Sequence, residues 1–349
     1  MIIGTCGFSW SGSSAVADLL AEYVNITVYN DDEFIIAFYP DGLEDLDFNL
    51  NTKCSKFLSS TVAIPRFRKV AKMLLKDITK GAYKRITDEY IEKLVQVKWL
   101  AVGQGQEVFS SKKYYDFANR FLRNLPVDFC RKIKFPPLEW LEYSIKPTNF
   151  YAITQDYTDS ILKSIGLDLK KHIVLDQPFP GNNPIQCMNY YRNAKAIVVD
   201  RDPRDLYLLA KEYFPRRSYQ TPNETVEEFI TFFYHMHKDM SQIAMHPDVL
   251  CIKFEELVFE YEETVKKIEL FLGLDKHQDP KKHFKPERSM ANTRLFEKCT
   301  KYADDIKKIE EQLGEFLYDF DRFKEMKAAG GMFDENPPID WRGTVVSNQ

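Results

Sequence analysis

The stretch that decides the fold is residues 2–14, IIGTCGFSWSGSS. Its first half is a short apolar run, and its second half is a turn with the spacing G-x-x-x-x-G-S-S, followed by a helical pattern. An apolar run that passes through such a turn into a helix is typical of a βα unit in a parallel sheet. The turn directs backbone N–H groups and the positive helix end at one point, which predicts an anion site. Its candidate residues are Gly7, Ser9, Trp10, Ser11, Gly12, Ser13 and Ser14.

The same turn allows two other interpretations. A phosphate-binding loop of the Walker type has a lysine where Ser13 stands, and that absence argues against an ordinary ATPase or GTPase. A plain βα turn rich in small residues also fits the spacing. The loop by itself leaves all of these open.

Further apolar runs recur along the chain and alternate with helical patterns. Such alternation predicts an α/β fold with a parallel sheet of about five strands, flanked by helices. Helices are expected from Ser13, after Pro203, from the capping pattern at Thr221, and over 261–272, where Gly273 provides the stop. The predicted strands are Ile2–Cys6, Ile26–Tyr29, Ile173–Leu175, Ala196–Val199 and Val249–Ile252.

Between the second and third predicted strands the βα alternation breaks, and the pattern is mostly helical. We therefore predict a core formed by residues 1–50 and 170–300, with a mainly helical insertion over 51–169. A C-terminal helix is expected over 301–327, and its pattern runs from residue 303. The tail over 328–349, with Gly-Gly and Pro-Pro, is expected to be flexible.

Composition excludes several classes of protein. The chain has 349 residues, 48 basic against 52 acidic, and a net charge of −4, which excludes a generally basic nucleic-acid binder. Its 44% of apolar residues excludes global disorder. The six cysteines are widely separated, as in proteins of reducing compartments. There is no long apolar run and no signal-like N-terminus, so a cytoplasmic protein is expected.

A second motif lies at residues 194–206, AKAIVVDRDPRDL. The apolar strand delivers Arg201 to its carboxyl end, and Pro203 begins a helix. Ligands of open α/β sheets bind outside the carboxyl ends of the strands, so Arg201 and Arg204 are candidates for holding an anion. The alternative is an arginine paired with Asp202 or Asp205.

Together the two motifs resemble those of the sulfotransferases that use 3′-phosphoadenosine 5′-phosphosulfate (PAPS). Residues 11–14, SGSS, resemble the family's P-[KR]-S-G-[TS]-[TS] loop, which holds the 5′-phosphosulfate. Residues 201–205, RDPRD, resemble its R-[ND]-P-[RK]-D motif, which contacts the 3′-phosphate. A third segment, 252–257 followed by 271–274, is similar to the family's Y-E-x-L … F-L-G-L passage. The resemblance covers 1–30 and 170–300, and it implies a P-loop-like fold and sulfuryl transfer from PAPS.

Two departures from the family pattern stand out. The basic residue before Ser-Gly is replaced by Trp10, and a serine that contacts the 3′-phosphate is replaced by Leu209. Losing a preorganised charge of the first kind costs about 3–4 kcal/mol of transition-state stabilisation. Arg288 and Arg294 are candidates for compensating the second departure.

Sulfuryl transfer needs a base that deprotonates the acceptor hydroxyl. In the family this group ends the strand before the arginine strand, a position that Asp176 occupies here. His172 has the commoner base chemistry but stands at the other end of the same strand. No His, Cys or carboxylate cluster has metal-ligand spacing, and transfer from this donor needs no metal. The carboxylate of Asp176 could also simply order the loop after the strand.

The acceptor is assigned to the insertion, and a saccharide or glycolipid hydroxyl is preferred by analogy with soluble transferases. The stretch Arg66–Arg85 has eight basic residues and one acid, Asp77. It fits either a solvated helix face or a contact with an acidic glycan, a lipid phosphate or the inner membrane surface. Two rival functions stay open: a degenerate P-loop kinase or nucleotide hydrolase, and a non-catalytic nucleotide-binding interaction module. The oligomeric state is not predicted.

Overall fold

A computed structural model describes residues 1–29, 31–53, 58–102, 120, 124–126, 128–129, 138–213, 221–275 and 277–326. Within them lies a five-stranded parallel sheet of order β2-β5-β1-β6-β7 and an antiparallel pair, β3-β4. The predicted α/β class and the five predicted sheet strands are confirmed. The strands are β1 (Ile2–Gly7), β2 (Ile26–Tyr29), β3 (Val97–Val102), β4 (Leu138–Tyr143), β5 (His172–Asp176), β6 (Ala194–Asp200) and β7 (Val249–Lys253).

Helices flank the strands of this sheet. Those predicted from Ser13, after Pro203 and over 261–272 are confirmed, and the last ends at Gly273, which has a φ of 67°. The helices are α1 (Ser13–Leu20), α2 (Leu43–Asp47), α3 (Leu58–Leu75), α4 (Tyr83–Leu94), α5 (Phe150–Ser164), α6 (Pro184–Met188), α7 (Pro203–Leu208), α8 (Val226–His237), α9 (Met240–Ile243), α10 (Phe254–Phe259), α11 (Tyr261–Leu272), α12 (Pro286–Ser289), α13 (Leu295–Lys298) and α14 (Ala303–Gln312).

Two helix predictions were wrong in their extent. Helix α8 begins at Val226 instead of Thr221, because Thr225 is the residue whose side chain caps it, accepting from the Glu228 N–H at 3.2 Å. The C-terminal helix ends at Gln312, and short 3₁₀ turns follow. There the Tyr318 N–H donates to Asp202 Oδ2 at 2.9 Å, so tertiary contacts override the helical pattern. The predicted tail lies outside the described residues.

By compactness the chain divides into two units, Met1–Phe38 with Leu162–Gln349, and Tyr39–Ile161. The predicted functional domains, with boundaries at 50 and 170, stay a prediction. The second unit contains helices, as expected, but also the β3–β4 ribbon, which the helical pattern did not predict. Its strands are rich in β-branched and aromatic residues, and Lys98 pairs with Glu142 across the ribbon at 3.1 Å.

The core of the first unit is formed by helices that pack against the sheet and against one another. Helix α1 buries its apolar face against β1 and β5, and α10 and α11 pack against β7, with Val16, Leu20 and Ile268 almost fully inaccessible. A second cluster forms where α7, α8 and α14 meet around Tyr207 and Phe229. Burial of this kind contributes about 25 cal/mol per Å² of apolar surface. This packing therefore holds the strands, and the residues at their carboxyl ends, in fixed positions.

The cysteines that the structure describes, Cys6, Cys187, Cys251 and Cys299, are unpaired. Cys54 and Cys130 lie outside the described residues. Of the described helices, none has the length and apolar character needed to span a bilayer.

Candidate active site

Three predicted site elements meet at the carboxyl edge of the sheet. Strand β1 lies between β5 and β6, so the loop after β1 stands between the ends of its two neighbours. Thr5 pairs with Asp176 on one side, and Gly7 pairs with Val199 on the other, two residues before Arg201. Asp176 is level with Ile197, four residues before Arg201. At about 4.8 Å between strands and about 3.3 Å per residue, the Cα atoms of Asp176 and Arg201 lie roughly 16 Å apart across the loop.

The loop after β1 opens with a tight turn. Ser11 donates its N–H to the Phe8 carbonyl at 2.9 Å, and its hydroxyl accepts from the Phe8 N–H at 3.0 Å. Trp10 therefore occupies the third position of the turn, with a φ of 61°. That conformation costs an L-residue about 1–2 kcal/mol, which is why glycine is usual there. The buried hydroxyl of Ser11 is thus used within the loop.

The loop then enters α1 through Gly12. Its φ of 93° favours glycine, and a Cβ there would lie 2.5 Å from Cδ2 of Phe254. Among the described residues no side chain caps this helix start. Since the first N–H groups of a helix have no intrahelical partner, those of Ser13 and Ser14 remain available to an anion. Ser14 is exposed, Ser9 half-buried and Ser13 buried.

Gln177, which sequence analysis missed, ties this loop to β5. Its Oε1 accepts from the Gly7 N–H at 3.2 Å, and its Nε2 donates to Ser13 Oγ at 2.9 Å. The chain then returns to the loop at Gly181, where a Cβ would lie 2.6 Å from the Gly7 carbonyl oxygen. The only sequence signal was an amide directly after the strand-end Asp176, because its partners are more than 160 residues away in the chain.

Asp176 ends β5 beside the loop. Burial and the nearby Glu33 raise its pKa to about 6, while the Thr5 hydroxyl and the Gln177 N–H, which donate to the Leu175 and Thr5 carbonyls beside it, oppose the shift. Its Oδ1 is buried and has no hydrogen-bond partner among the described residues. A carboxylate with a pKa close to neutrality and an unused oxygen has the properties of a general base.

The structure does not bring His172 to this edge. It begins β5, so it stands about 13 Å from Asp176 at the extended rise of a strand. Burial and the chain's amino terminus lower its pKa. Its backbone N–H donates to the Asn25 carbonyl, on the side of the sheet opposite the loop.

Arg201 lies directly beyond β6, with 5% of its surface exposed. One Nη donates to the Trp10 carbonyl at 3.0 Å, and the other donates to the carbonyl of Asn292. Its Nε is buried and has no partner in the described part of the chain. A guanidinium has five N–H donors, so three remain for an anion. The contact with Trp10 also joins Arg201 to the loop.

Buried carboxyl groups surround this arginine. Asp205 accepts from the Leu295 N–H at 2.8 Å, and Glu255 accepts from the Asp202 N–H at 3.1 Å. The second oxygens of Asp205 and Glu255 have no hydrogen-bond partner among the described residues. Burial raises the pKa of Asp205, against the opposing charge of Arg201. Burial and Asp202 raise the pKa of Glu255 to about 8. The sequence identified Asp205 only as a possible partner of the motif arginine and assigned no role to Glu255.

Arg204 is engaged elsewhere. It donates to both carboxylate oxygens of Asp202, at 3.0 and 2.8 Å, and to Glu310 Oε1 at 2.9 Å. Its guanidinium also stacks on Phe296. These contacts fix the start of α7 and leave little capacity for a ligand, in line with the ion-pair alternative for this motif.

The other predicted arginines lie beyond α11. Arg288 is exposed on α12 and is one of the charges that act on Asp18 of α1. Arg294 is buried and donates to the carbonyls of Phe323 at 2.6 Å and Met326 at 3.1 Å. Arg294 therefore holds the C-terminal turns. Leu209 is half-buried beside the apolar cluster of α7 and α8.

A further charged cluster, also missed from sequence, lies at the ends of β6 and β7. Asp200 is 3.2 Å from Lys253 Nζ and 3.1 Å from His237 Nε2. Despite burial, these two neighbours lower its pKa to about 2. The His237 ring packs against the Phe8 ring of the loop at a tilt of 32°, with ring centroids 3.8 Å apart. Among the residues described, no group of His, Cys, Asp and Glu is placed to hold a metal ion.

The basic stretch lies on the second unit. Lys72, Lys76, Lys80 and Lys84 are exposed and form no ion pair within the described ranges. Arg68 instead bonds Asp88 and Glu142, and Arg85 pairs with Glu89 at 2.8 Å. Contact with acidic headgroups or glycans through this surface stays a prediction.

Comparison with known proteins gives structural matches only. No protein-family model and no curated protein matches the chain. The sulfotransferase domain of the Synechococcus PCC 7002 olefin synthase is 13% identical, with 91% of this chain and 94% of that domain covered and a TM-score of 0.41. A sulfotransferase from Alicyclobacillus acidocaldarius is also 13% identical, with 89% and 95% covered and a TM-score of 0.36.

A third match is a retinol dehydratase in complex with androsterone and the inactive cofactor PAP. It is 12% identical, with 93% of this chain and 83% of that protein covered and a TM-score of 0.37. With all TM-scores below 0.5, the assignment of residues rests on the geometry of this chain alone. Two of these three solved structures are described as sulfotransferases.

Proposed function

We propose that this protein transfers a sulfuryl group from PAPS to an acceptor hydroxyl. One observation carries the proposal: the loop after β1, Asp176 and Arg201 stand at the ends of three adjacent parallel strands. An anion cradle, a base and a buried guanidinium with free donors are what this reaction requires.

In this proposal the residues act on different parts of the donor. The N–H groups at the start of α1, with the hydroxyls of Ser13 and Ser14, hold the 5′-phosphosulfate. The three unused N–H groups of Arg201 hold the 3′-phosphate, with Trp10 and Asn292 fixing the side chain. The orphaned Nε of Arg201 supports this fit, because a buried donor without a partner costs free energy until a ligand satisfies it.

Asp176 takes the proton of the acceptor hydroxyl. The acceptor oxygen then forms a bond to sulfur, while the bond between sulfur and the bridging phosphate oxygen breaks. The electron pair of that bond stays on the departing phosphate. A pKa of about 6 keeps the Asp176 carboxylate ionised at neutral pH and basic enough to assist.

For the acceptor we propose a saccharide, bound on the second unit. That unit has a cavity of about 630 Å³ in which the exposed Trp140 stands beside Gln96, Lys98 and Glu92. An accessible indole face next to amide and charged groups suits a sugar ring, which has apolar faces and a hydroxyl rim.

A second candidate function is nucleotide binding without transfer. Trp10 supports it, because the loop then lacks a cation at the departing oxygen. The two candidates predict the same binding and differ in turnover.

Calorimetric titration with 3′-phosphoadenosine 5′-phosphate (PAP) tests the proposal, with ATP and Mg²⁺ as the comparison. We expect micromolar binding of PAP without metal, followed by transfer from labelled PAPS to a saccharide acceptor. PAP binding without any transfer would support the non-catalytic module. Binding of ATP–Mg²⁺ alone would support a kinase, and no binding of either nucleotide would contradict the proposal.

A further inference from the structure

The amide of Gln177 makes two hydrogen bonds whose directions are linked. Its Oε1 faces the Gly7 N–H, and its Nε2 faces Ser13 Oγ. The backbone of Gln177 is also held, since its own N–H donates to the Thr5 carbonyl at 2.9 Å. The side chain thus spans the loop from its first residue to the start of α1.

The donor in each bond is fixed by chemistry. A backbone N–H can only donate, so the end of the amide at Gly7 must be the oxygen. The other end is then the NH₂ group, which can only donate, so Ser13 Oγ must accept. The Ser13 hydroxyl has one hydrogen, and this arrangement directs it away from Gln177.

That hydrogen has no acceptor in the described part of the chain. Ser13 is only 9% exposed, and its Oγ makes no other hydrogen bond there. It opens α1, where the first N–H groups also point outward. A buried hydroxyl that lies beside unpaired helix N–H groups, with its hydrogen directed away from Gln177, is arranged to donate to an anion.

We propose that Gln177 is a positioning residue that orients the Ser13 hydroxyl as a donor to the anion bound at the start of α1. The inference rests on the proposed function for the identity of that anion, the phosphosulfate of PAPS. Hydrogen bonds from a hydroxyl to an anionic oxygen are short and strong, so a hydroxyl oriented in advance strengthens binding.

The proposal requires an amide at this position. A glutamate would accept from both Gly7 and Ser13, so the Ser13 hydrogen would turn inward and be lost to the ligand. A methionine would leave the hydroxyl without an orienting partner. The two replacements therefore predict different losses.

A double-mutant cycle between Ser13→Ala and Gln177→Glu tests this, with PAP and inorganic pyrophosphate as probes in calorimetry. In the native background S13A is expected to weaken binding about tenfold, which corresponds to about 1.4 kcal/mol. In the Q177E background the same change should cost less than twofold. Ser14→Ala is the matched control, because it removes a neighbouring hydroxyl that Gln177 does not contact, and its cost should be the same in both backgrounds.

Thermal unfolding of each variant shows whether it is folded. If Q177E does not fold, Q177M replaces it, with an expected S13A cost of about threefold. If S13A weakens binding by the same factor in both backgrounds, the inference about Gln177 is overturned. Binding of PAP in the same experiment would still uphold the proposed function. Pyrophosphate binding with the expected coupling, but no PAP binding, would uphold the inference and overturn the function. An unaltered protein that binds neither probe would overturn both.

Discussion

The two sides of the loop after β1 are held by different kinds of contact. On the β5 side the contacts are neutral, from the Gln177 amide to Gly7 and Ser13. On the β6 side the contacts involve charged groups: Arg201 donates to the Trp10 carbonyl, and the buried Asp205 and Glu255 interact electrostatically with Arg201. Both sets of contacts lie at the same edge of the sheet. The Gln177 contacts orient the loop, whereas the Arg201 contact joins the loop to a buried charged group.

The difference suggests that the two sides have different roles in the site. Neutral hydrogen bonds can set donor directions without a large desolvation cost, since each contributes about 1 kcal/mol net. A buried guanidinium is stabilised by counter-charges, and Asp205 and Glu255 can provide them only at pH values above their raised pKa. The β5 side is therefore expected to govern the reacting group, and the β6 side the affinity for the nucleotide.

The largest expected effect is on the β5 side, from Asp176→Asn. Losing the base should lower turnover by about 10²–10⁴-fold while PAP affinity stays within about threefold. In the unaltered protein the rate should rise with pH through about 6 and then level off, because the ionised carboxylate is the active form. Steady-state rates measured from pH 5 to 8 report both effects. In D176N the fall in rate at low pH, the acid limb of the profile, should be absent.

Glu33→Gln is the control for that assignment. The charge of Glu33 helps to raise the pKa of Asp176, so its removal should move the acid limb to lower pH and leave the plateau rate unchanged. If the fall in rate at low pH occurs at the same pH in E33Q as in the unaltered protein, and is still present in D176N, another group is the base.

On the β6 side Arg201→Ala should weaken PAP binding at least tenfold, because three donors to the 3′-phosphate are lost. It should also lower the free energy of unfolding, by up to about 3–5 kcal/mol at a pH where Asp205 and Glu255 are ionised and lose their buried cation. Calorimetry and urea unfolding measure the two effects, and the stability loss should be smaller below the raised pKa values of these carboxyls, where both are neutral.

Arg204→Lys is the matched control, three residues away. Arg204 bonds Asp202 and Glu310, so R204K should lower stability and change PAP affinity by less than about twofold. If R204K weakened PAP binding as much as R201A, Arg204 would belong to the site, and the division between the two sides would fail.

The sequence was sufficient to predict the five strands of the parallel sheet, because short apolar runs bounded by turns are local signals. The β3–β4 ribbon was missed because its strands are separated by 35 intervening residues, 103–137, in a stretch with helical patterns. The final helix was predicted too long because Tyr318 bonds Asp202, a contact that no local pattern encodes. Local propensity is a weak guide where tertiary contacts compete with it.

At the site, the sequence predicted the loop and Arg201 because both are contiguous motifs. It could not establish that β5 and β6 flank β1, since strand order is not local. It also missed Gln177 and Glu255, whose roles depend on partners brought close by folding. For Arg204 the motif allowed two roles, and the bidentate contact with Asp202 favours the structural one.

The smallest expected effect concerns how much charge the β6 side retains at neutral pH. The folded-state pKa of Glu255 is about 8, well above the value of about 4.3 for an unfolded chain. Stability from this group is fully present below about pH 4 and is lost as pH rises through 8. Between these limits the free energy of unfolding should fall as pH rises, because the folded protein holds a proton that the unfolded chain releases.

Glu255→Gln should remove this contribution to the pH dependence. In urea unfolding the free energy of unfolding of the variant should equal that of the unaltered protein at pH 4 and be larger at pH 8. Glu256→Gln is the matched control, because the neighbouring Glu256 is half-buried, accepts from the Lys253 N–H and lies 3.8 Å from Lys267 Nζ, and its replacement leaves Glu255 in place. A flatter slope in E255Q alone means that Glu255 is protonated at neutral pH. Arg201 would then be less neutralised and more available to a phosphate. Identical slopes would mean that Glu255 is ionised in the folded protein, so that an incoming phosphate must compete with it for the guanidinium.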